Sequence, residues 1–146
     1  MEIKTLYTIH ALLQAKAFLV LFPIGIIIAL CKTFIGPSWF MLHIIFQSLG
    51  VFCVFAAIAF MAYAQYLKNK TKEPNSKTPE ENKPMPTHVI IGITIVCLII
   101  AQLIWAVFLR HVINREIWVL IHIILAILIL GLGWTNLYLG YNLYKK

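Results

Sequence analysis

Four histidines set the chemistry open to this chain, because each lies in a different long apolar stretch. An imidazole surrounded by hydrocarbon must be hydrogen-bonded or must ligate something, since an unsatisfied polar group is costly there. His43 sits in Trp39–Gly50, WFMLHIIFQSLG, and shares one helix face with Gln47 at i+4 and Gly50 at i+7. That face offers a nitrogen ligand, an amide and a gap, which is the surface a flat, bulky cofactor asks for. His10 and His88 lie near the starts of the first and third stretches. His43 and His122 lie one to two turns into the second and fourth.

The elements that must position these groups are membrane helices. The chain has 146 residues, 62% of them hydrophobic, and a mean hydropathy of +0.90, far above a soluble domain. Apolar segments run over roughly 6–31, 38–67, 88–110 and 116–143, each long enough for the about 20 helical residues a bilayer core requires. They are continuous apolar runs without the period-2 alternation of barrel strands. The sequence predicts an all-α membrane protein, a single four-transmembrane-helix domain over 1–146 with no soluble domain left over. Glu2, the length of the first run and the lack of a small-x-small site argue against a signal peptide.

Short turns predict the topology. TFIGPS, with Gly36 and Pro37 as helix breakers and Ser38 as an N-cap, joins the first two helices. A second short turn near His111 to Arg115 joins the last two. An up-down-up-down bundle follows. Between its halves, residues 68–85 are rich in Lys, Glu, Pro, Asn and Thr and read as a flexible connector.

Charge gives orientation. Lys4, Lys68, Lys70, Lys72, Lys77, Lys83, Lys145 and Lys146 fall on the side of the N- and C-termini (side A), against Lys32, Arg110 and Arg115 on side B. The positive-inside rule then turns side A to the cytosol or a matrix, in a membrane the sequence does not name. The net charge of +7 is a topological signal and an attraction to anionic lipid, with no case for nucleic acid. Cys31, Cys53 and Cys97 are scattered, odd in number and outside any CxxC or CxxCH pattern, so they read as small apolar residues.

In such a bundle the histidines segregate into two pairs by depth, His10 with His88 and His43 with His122. Each pair comes from alternate helices that stand diagonally across the core, the layout of bis-histidine ligation of two metalloporphyrins. Helix rise puts the two depths roughly 25 Å apart, less with tilt. The stripes agree. Gly92, Ile95, Ile99, Gln102, Ala106 and Arg110 fall within about 40° of His88 at 100° per residue. Ala126, Ile129, Gly133, Asn136 and Gly140 do the same for His122. Gln14, Ala17, Leu21 and Ile28 follow His10. Gly140 lies about 27 Å along the helix from His122, at the depth of the other pair.

Plainer readings stand beside these. Any one histidine could be an interior hydrogen-bonding residue, and Gln47, Gln102 and Asn136 could be glue between helices rather than cofactor contacts. His111 reads as a solvated surface residue. Lys16, one to two turns inside the first span and about 120° off the His10 stripe, is either a snorkelling lysine or a cation for a haem propionate or an anionic donor.

These residues together resemble the four-helix core of the cytochrome b561 family, including the form attached to DOMON domains. The resemblance covers nearly the whole chain outside 68–85. It is carried by His10 followed by FPIG at Phe22–Gly25 and by WFMLHIIFQSLG. It is carried too by HVIIG at His88–Gly92 with Gln102 and Arg110, and by WVLIH at Trp118–His122 with Asn136 and Gly140. The chain departs from the pattern at Leu30, where many members have Arg, and at Ala126, often Gly. The outer helices of six-span members and a DOMON domain have no counterpart here.

The resemblance implies two non-covalent b-type haems, one on His10 and His88 and one on His43 and His122. It implies a transmembrane oxidoreductase passing electrons from a small-molecule donor such as ascorbate to monodehydroascorbate or ferric iron, alone or as a homodimer. Two other readings remain: an accessory haem-binding subunit of a larger membrane complex, and a purely structural four-span protein.

Overall fold

The computed structural model describes residues 2–71 and 85–144, and their regular structure is entirely helical. Four helical spans are long and apolar enough to cross a membrane, Ile3–Leu30, Lys32–Thr71, Thr87–Val107 and Arg115–Leu143, as a multi-pass membrane protein requires. The chain divides into two compact units, Met1–Pro84 and Met85–Lys146. Each is a helical hairpin.

In the first hairpin the outgoing arm is α1 (Ile3–Lys16), one π-helical turn (Ala17–Leu21) and α2 (Phe22–Leu30). The π turn has a local cause. Pro23 has no N–H for the carbonyl four residues back, and its ring crowds that carbonyl. The backbone absorbs the defect by widening, with the Phe22 N–H donating to the Ala17 carbonyl. The short helix α3 (Lys32–Ile35) then ends at Gly36, whose φ of 74° is open to glycine at little cost. The 3-10 turn Gly36–Ser38 runs directly into α4 (Trp39–Thr71).

Helix α4 continues to Thr71, beyond the expected end at 67. Lys68 and Lys70 are good helix formers and favour the C-terminal end of the dipole. The Thr71 hydroxyl donates back to the carbonyls of Leu67 and Lys68. The start of the expected 68–85 connector is therefore helical, and 72–84 lie outside the described residues.

The second hairpin pairs α5 (Thr87–Val107) with α6 (Arg115–Tyr144) through the 3-10 turn Leu109–His111. Asn114 caps α6, its Oδ1 accepting the Glu116 N–H at 2.8 Å. Helix α5 stops at Val107, short of the expected 110, because the tight turn needs the next residues.

Both hairpins are antiparallel, as their cross-links show. His10 meets Ala57 while His43 meets Gly25. His88 meets Asn136, Gln102 meets His122, and Trp105 meets Trp118. Apolar residues fill the seams: Leu6, Ala17, Phe18, Phe22, Ile28, Val54, Ala57 and Ala64 in the first, Ile95, Ile99 and Ile129 in the second. Most other apolar side chains are exposed on the hairpins, including Leu19, Phe52, Ile93 and Ile127, as a lipid solvent tolerates.

Candidate functional site

Each candidate histidine is half-buried at a seam and bonded through Nδ1 within its own hairpin. His10 Nδ1–H donates to the Ala57 carbonyl at 3.0 Å, and His43 Nδ1–H to the Gly25 carbonyl at 2.7 Å. His88 Nδ1–H donates to the Asn136 carbonyl at 3.1 Å. A carbonyl oxygen only accepts, so the proton of a neutral ring must be on Nδ1 and the lone pair on Nε2. This is the arrangement of a metal-ligating imidazole, in which a backbone carbonyl fixes tautomer and ring orientation and raises basicity. At three of the four positions the tautomer is therefore the one an iron ligand needs.

His122 differs. Its Nδ1 faces the Gln102 amide nitrogen at 3.0 Å, and that nitrogen also donates to the His122 carbonyl at 3.0 Å. An amide nitrogen only donates, so Nδ1 accepts and the proton of a neutral ring is on Nε2. The Gln102 Oε1 is buried with no hydrogen-bond partner. Trp118 stacks on the His122 ring, centroids 5.3 Å apart and planes 12° from parallel. Trp118 is held in turn by reciprocal bonds with Trp105, indole N–H to backbone carbonyl in both directions at 3.0 and 2.9 Å.

Spacing along the seams is the same in both hairpins. Ala57, the partner of His10, follows His43 by 14 residues on α4, about 21 Å of helix. Asn136, the partner of His88, follows His122 by 14 residues on α6, again about 21 Å. Two imidazoles so far apart cannot share one iron, since metal–imidazole bonds are about 2 Å. A bis-imidazole site therefore needs its second ligand from outside the hairpin.

The other expected site residues divide. Gln47 reaches across the seam, donating from Nε2 to the Phe22 carbonyl at 3.2 Å and packing on Gly25. The gap expected at Gly50 is filled by the Phe22 ring. The face of His43, Gln47 and Gly50 is thus turned to the first arm of its own hairpin. Asn136 gives its backbone carbonyl to His88, its amide lies against Gly92, and its Oδ1 is buried without a partner. Gly140 does lie at the depth of His88: a Cβ there would stand 2.9 Å from the His88 Cε1. Arg110 is exposed in the 3-10 turn past the end of α5, so the helical stripe from His88 stops at Ala106. Lys16 is exposed at the last position of α1, next to the π turn. His111 is exposed, as a surface residue would be.

Sequence reasoning missed three features. The π turn turns Phe22, about 120° from His10 on a regular helix, into the seam; the signal was Pro23 within an apolar run. The Trp105–Trp118 exchange and the reversed bond at His122 have no one-dimensional signature. Among the described residues no three His, Cys, Asp or Glu side chains converge on a metal site, whereas a porphyrin iron asks the protein for only two ligands. Comparisons with family models, curated proteins and solved structures find no match, so the likeness to the cytochrome b561 family rests on the residue pattern alone.

Proposed function

We propose that the chain is a di-haem b-type electron-transfer protein of the membrane, its hairpins assembling into an up-down-up-down bundle. His10 and His88 hold one haem near side A and His43 and His122 the other near side B. The termini then face the cytosol or a matrix, by the bias of basic residues. The observation that carries this reading is the equal about 21 Å spacing of the imidazoles in both hairpins. Antiparallel hairpins with that match can satisfy both ligand pairs in one register.

When bound, a bis-imidazole haem exchanges one electron at its iron and leaves no open position for oxygen. The residues of the chain do the rest. His10, His43 and His88 present Nε2 lone pairs from rings fixed by backbone carbonyls. Gly140 lets the His88 ring lie against α6, and Trp118 holds the plane of His122. Moving an electron across the full membrane potential is worth about 2.3 kcal/mol per 100 mV, so the donor and acceptor set its direction. A small anionic reductant such as ascorbate is the donor class in this reading, and Lys16, if it does more than snorkel to the headgroups, is the candidate cation for it or for a haem propionate.

A structural or accessory role is favoured by one observation: Gln47, Gln102 and all four imidazoles bond across their own seams, as helix glue does. A reduced-minus-oxidised spectrum of the purified full chain decides between them. A b-type α-band with two haems per chain is expected, reducible by ascorbate. Absence of the band after haem supplementation leaves the structural reading, and co-purification with other subunits points to the accessory one.

A further inference from the structure

The four imidazoles are not equivalent, and the difference sits in one amide. At His10, His43 and His88 the group facing Nδ1 is an acceptor; at His122 it is the Gln102 nitrogen, a donor. The His122 ring has little freedom to escape this contact, because Trp118 stacks on it and Trp105 holds Trp118. The adaptable partner is Gln102, whose Oε1 is buried without a hydrogen bond while its nitrogen serves both Nδ1 and the His122 carbonyl. An orphaned buried acceptor beside a ring nitrogen that can carry the proton in the other tautomer is an arrangement with a second state.

We propose that Gln102 is a positioning residue that governs the proton on His122 and, through it, the haem bound there. In the haem-free protein its amide nitrogen donates to Nδ1 and keeps the proton on Nε2. When the amide turns end for end, its bond to the His122 carbonyl is given up and Oε1 accepts from Nδ1–H; one proton leaves the ring Nε2 as another is taken up at Nδ1, with no change of net charge. The Nε2 lone pair is then presented as at the other three positions. The first half of this inference concerns the protein alone. The second half rests on the di-haem reading. A stronger acceptor on Nδ1–H gives the ligand more imidazolate character, which favours ferric iron and lowers the potential.

The test uses the full chain labelled with 15N-histidine in detergent micelles, with the His122 signals assigned by their loss in H122Q. In the haem-free protein, nitrogen shifts are expected to show His122 protonated on Nε2 and the other three on Nδ1. Q102E supplies an acceptor and is expected to move protonation of His122 to Nδ1. In haem-loaded protein, Q102E is expected to lower one of two midpoint potentials and Q102L to raise the same one, leaving the other unmoved. His122 protonated on Nδ1 in haem-free wild type, or unchanged in Q102E, overturns the proposal. So do potentials that move together or not at all. If the tautomers behave as stated but no haem binds, Gln102 governs the proton and the di-haem reading is what fails.

Discussion

Trp105 and Trp118 exchange hydrogen bonds, each indole donating to the other's backbone carbonyl across the turn between α5 and α6. The exchange closes the end of the second hairpin, and the Trp118 ring extends it as a stack on His122. Hydrogen bonds between membrane helices are worth about 0.6 kcal/mol on average and up to about 1.7. W105F removes one donor, so its unfolding free energy in detergent is expected to fall by about 1 kcal/mol. W118L removes a donor and the stack, itself worth about 0.5–1.5 kcal/mol, so it is expected to fall further. Unfolding by SDS titration, read by circular dichroism, measures both; equal stability of the two variants would remove the stack from the account.

Gly50 is a second such joint. A Cβ there would overlap the Phe22 ring, with Cζ at 3.1 Å and two ring atoms closer. Phe22 is buried on the seam and in edge-to-face contact with Phe18, centroids 5.2 Å apart, so it cannot simply swing away. G50A is expected to destabilise the first hairpin by about 1–3 kcal/mol, the range for overpacking. Adding F22L, which shortens the ring, is expected to restore part of the loss. Additive effects in the same SDS titration would show that the two residues do not press on each other.

What the sequence made legible follows from periodicity. Regular helices keep their phase, so Ile95, Ile99, Ile129 and Gly133, read from stripes at 100° per residue, do lie buried on the seam of the second hairpin. Along the first arm Ala17 and Ile28 of the His10 stripe are buried too, and the π turn before Pro23 adds Phe22, which a regular helix would turn about 120° away. The histidines stood out because polar rings in apolar runs are rare. Their bonding did not, because whether Nδ1 meets a carbonyl or an amide nitrogen depends on where a neighbouring helix puts its atoms. Likewise the Gly50 gap was visible, whereas the ring that fills it lies 28 positions away in sequence.

Gly140 joins packing to the proposed function. His88 Cε1 stands 2.9 Å and Nδ1 3.3 Å from where a Cβ would be, so G140A displaces the imidazole from α6 and strains its bond to the Asn136 carbonyl. Gly131, on the same helix with nothing within 4 Å of its added Cβ, is the matched control. Alanine is the better helix former by roughly 1 kcal/mol, so G131A is expected to be neutral or stabilising. In the haem-loaded protein G140A is expected to alter or remove one haem signal of two, and G131A neither. Unchanged spectra in G140A would mean that His88 carries no haem.

The pairing of ligands has its own test, because geometry already forbids one answer. Imidazoles in one hairpin are about 21 Å apart along the helix, so under the proposed di-haem reading H10A and H43A are expected to affect different haems. If His10 pairs with His88, H10A, H88A and the double variant H10A/H88A all lose the same haem and keep the other, at about half the wild-type haem content. H43A and H122A are expected to lose the complementary one. Combining H10A with H43A empties both sites, whereas effects within a pair do not add, as for any residues acting as one unit. Redox titration distinguishes the two haems by midpoint, so each variant reports which one remains. Should H10A and H122A remove the same haem, the depth pairing is wrong.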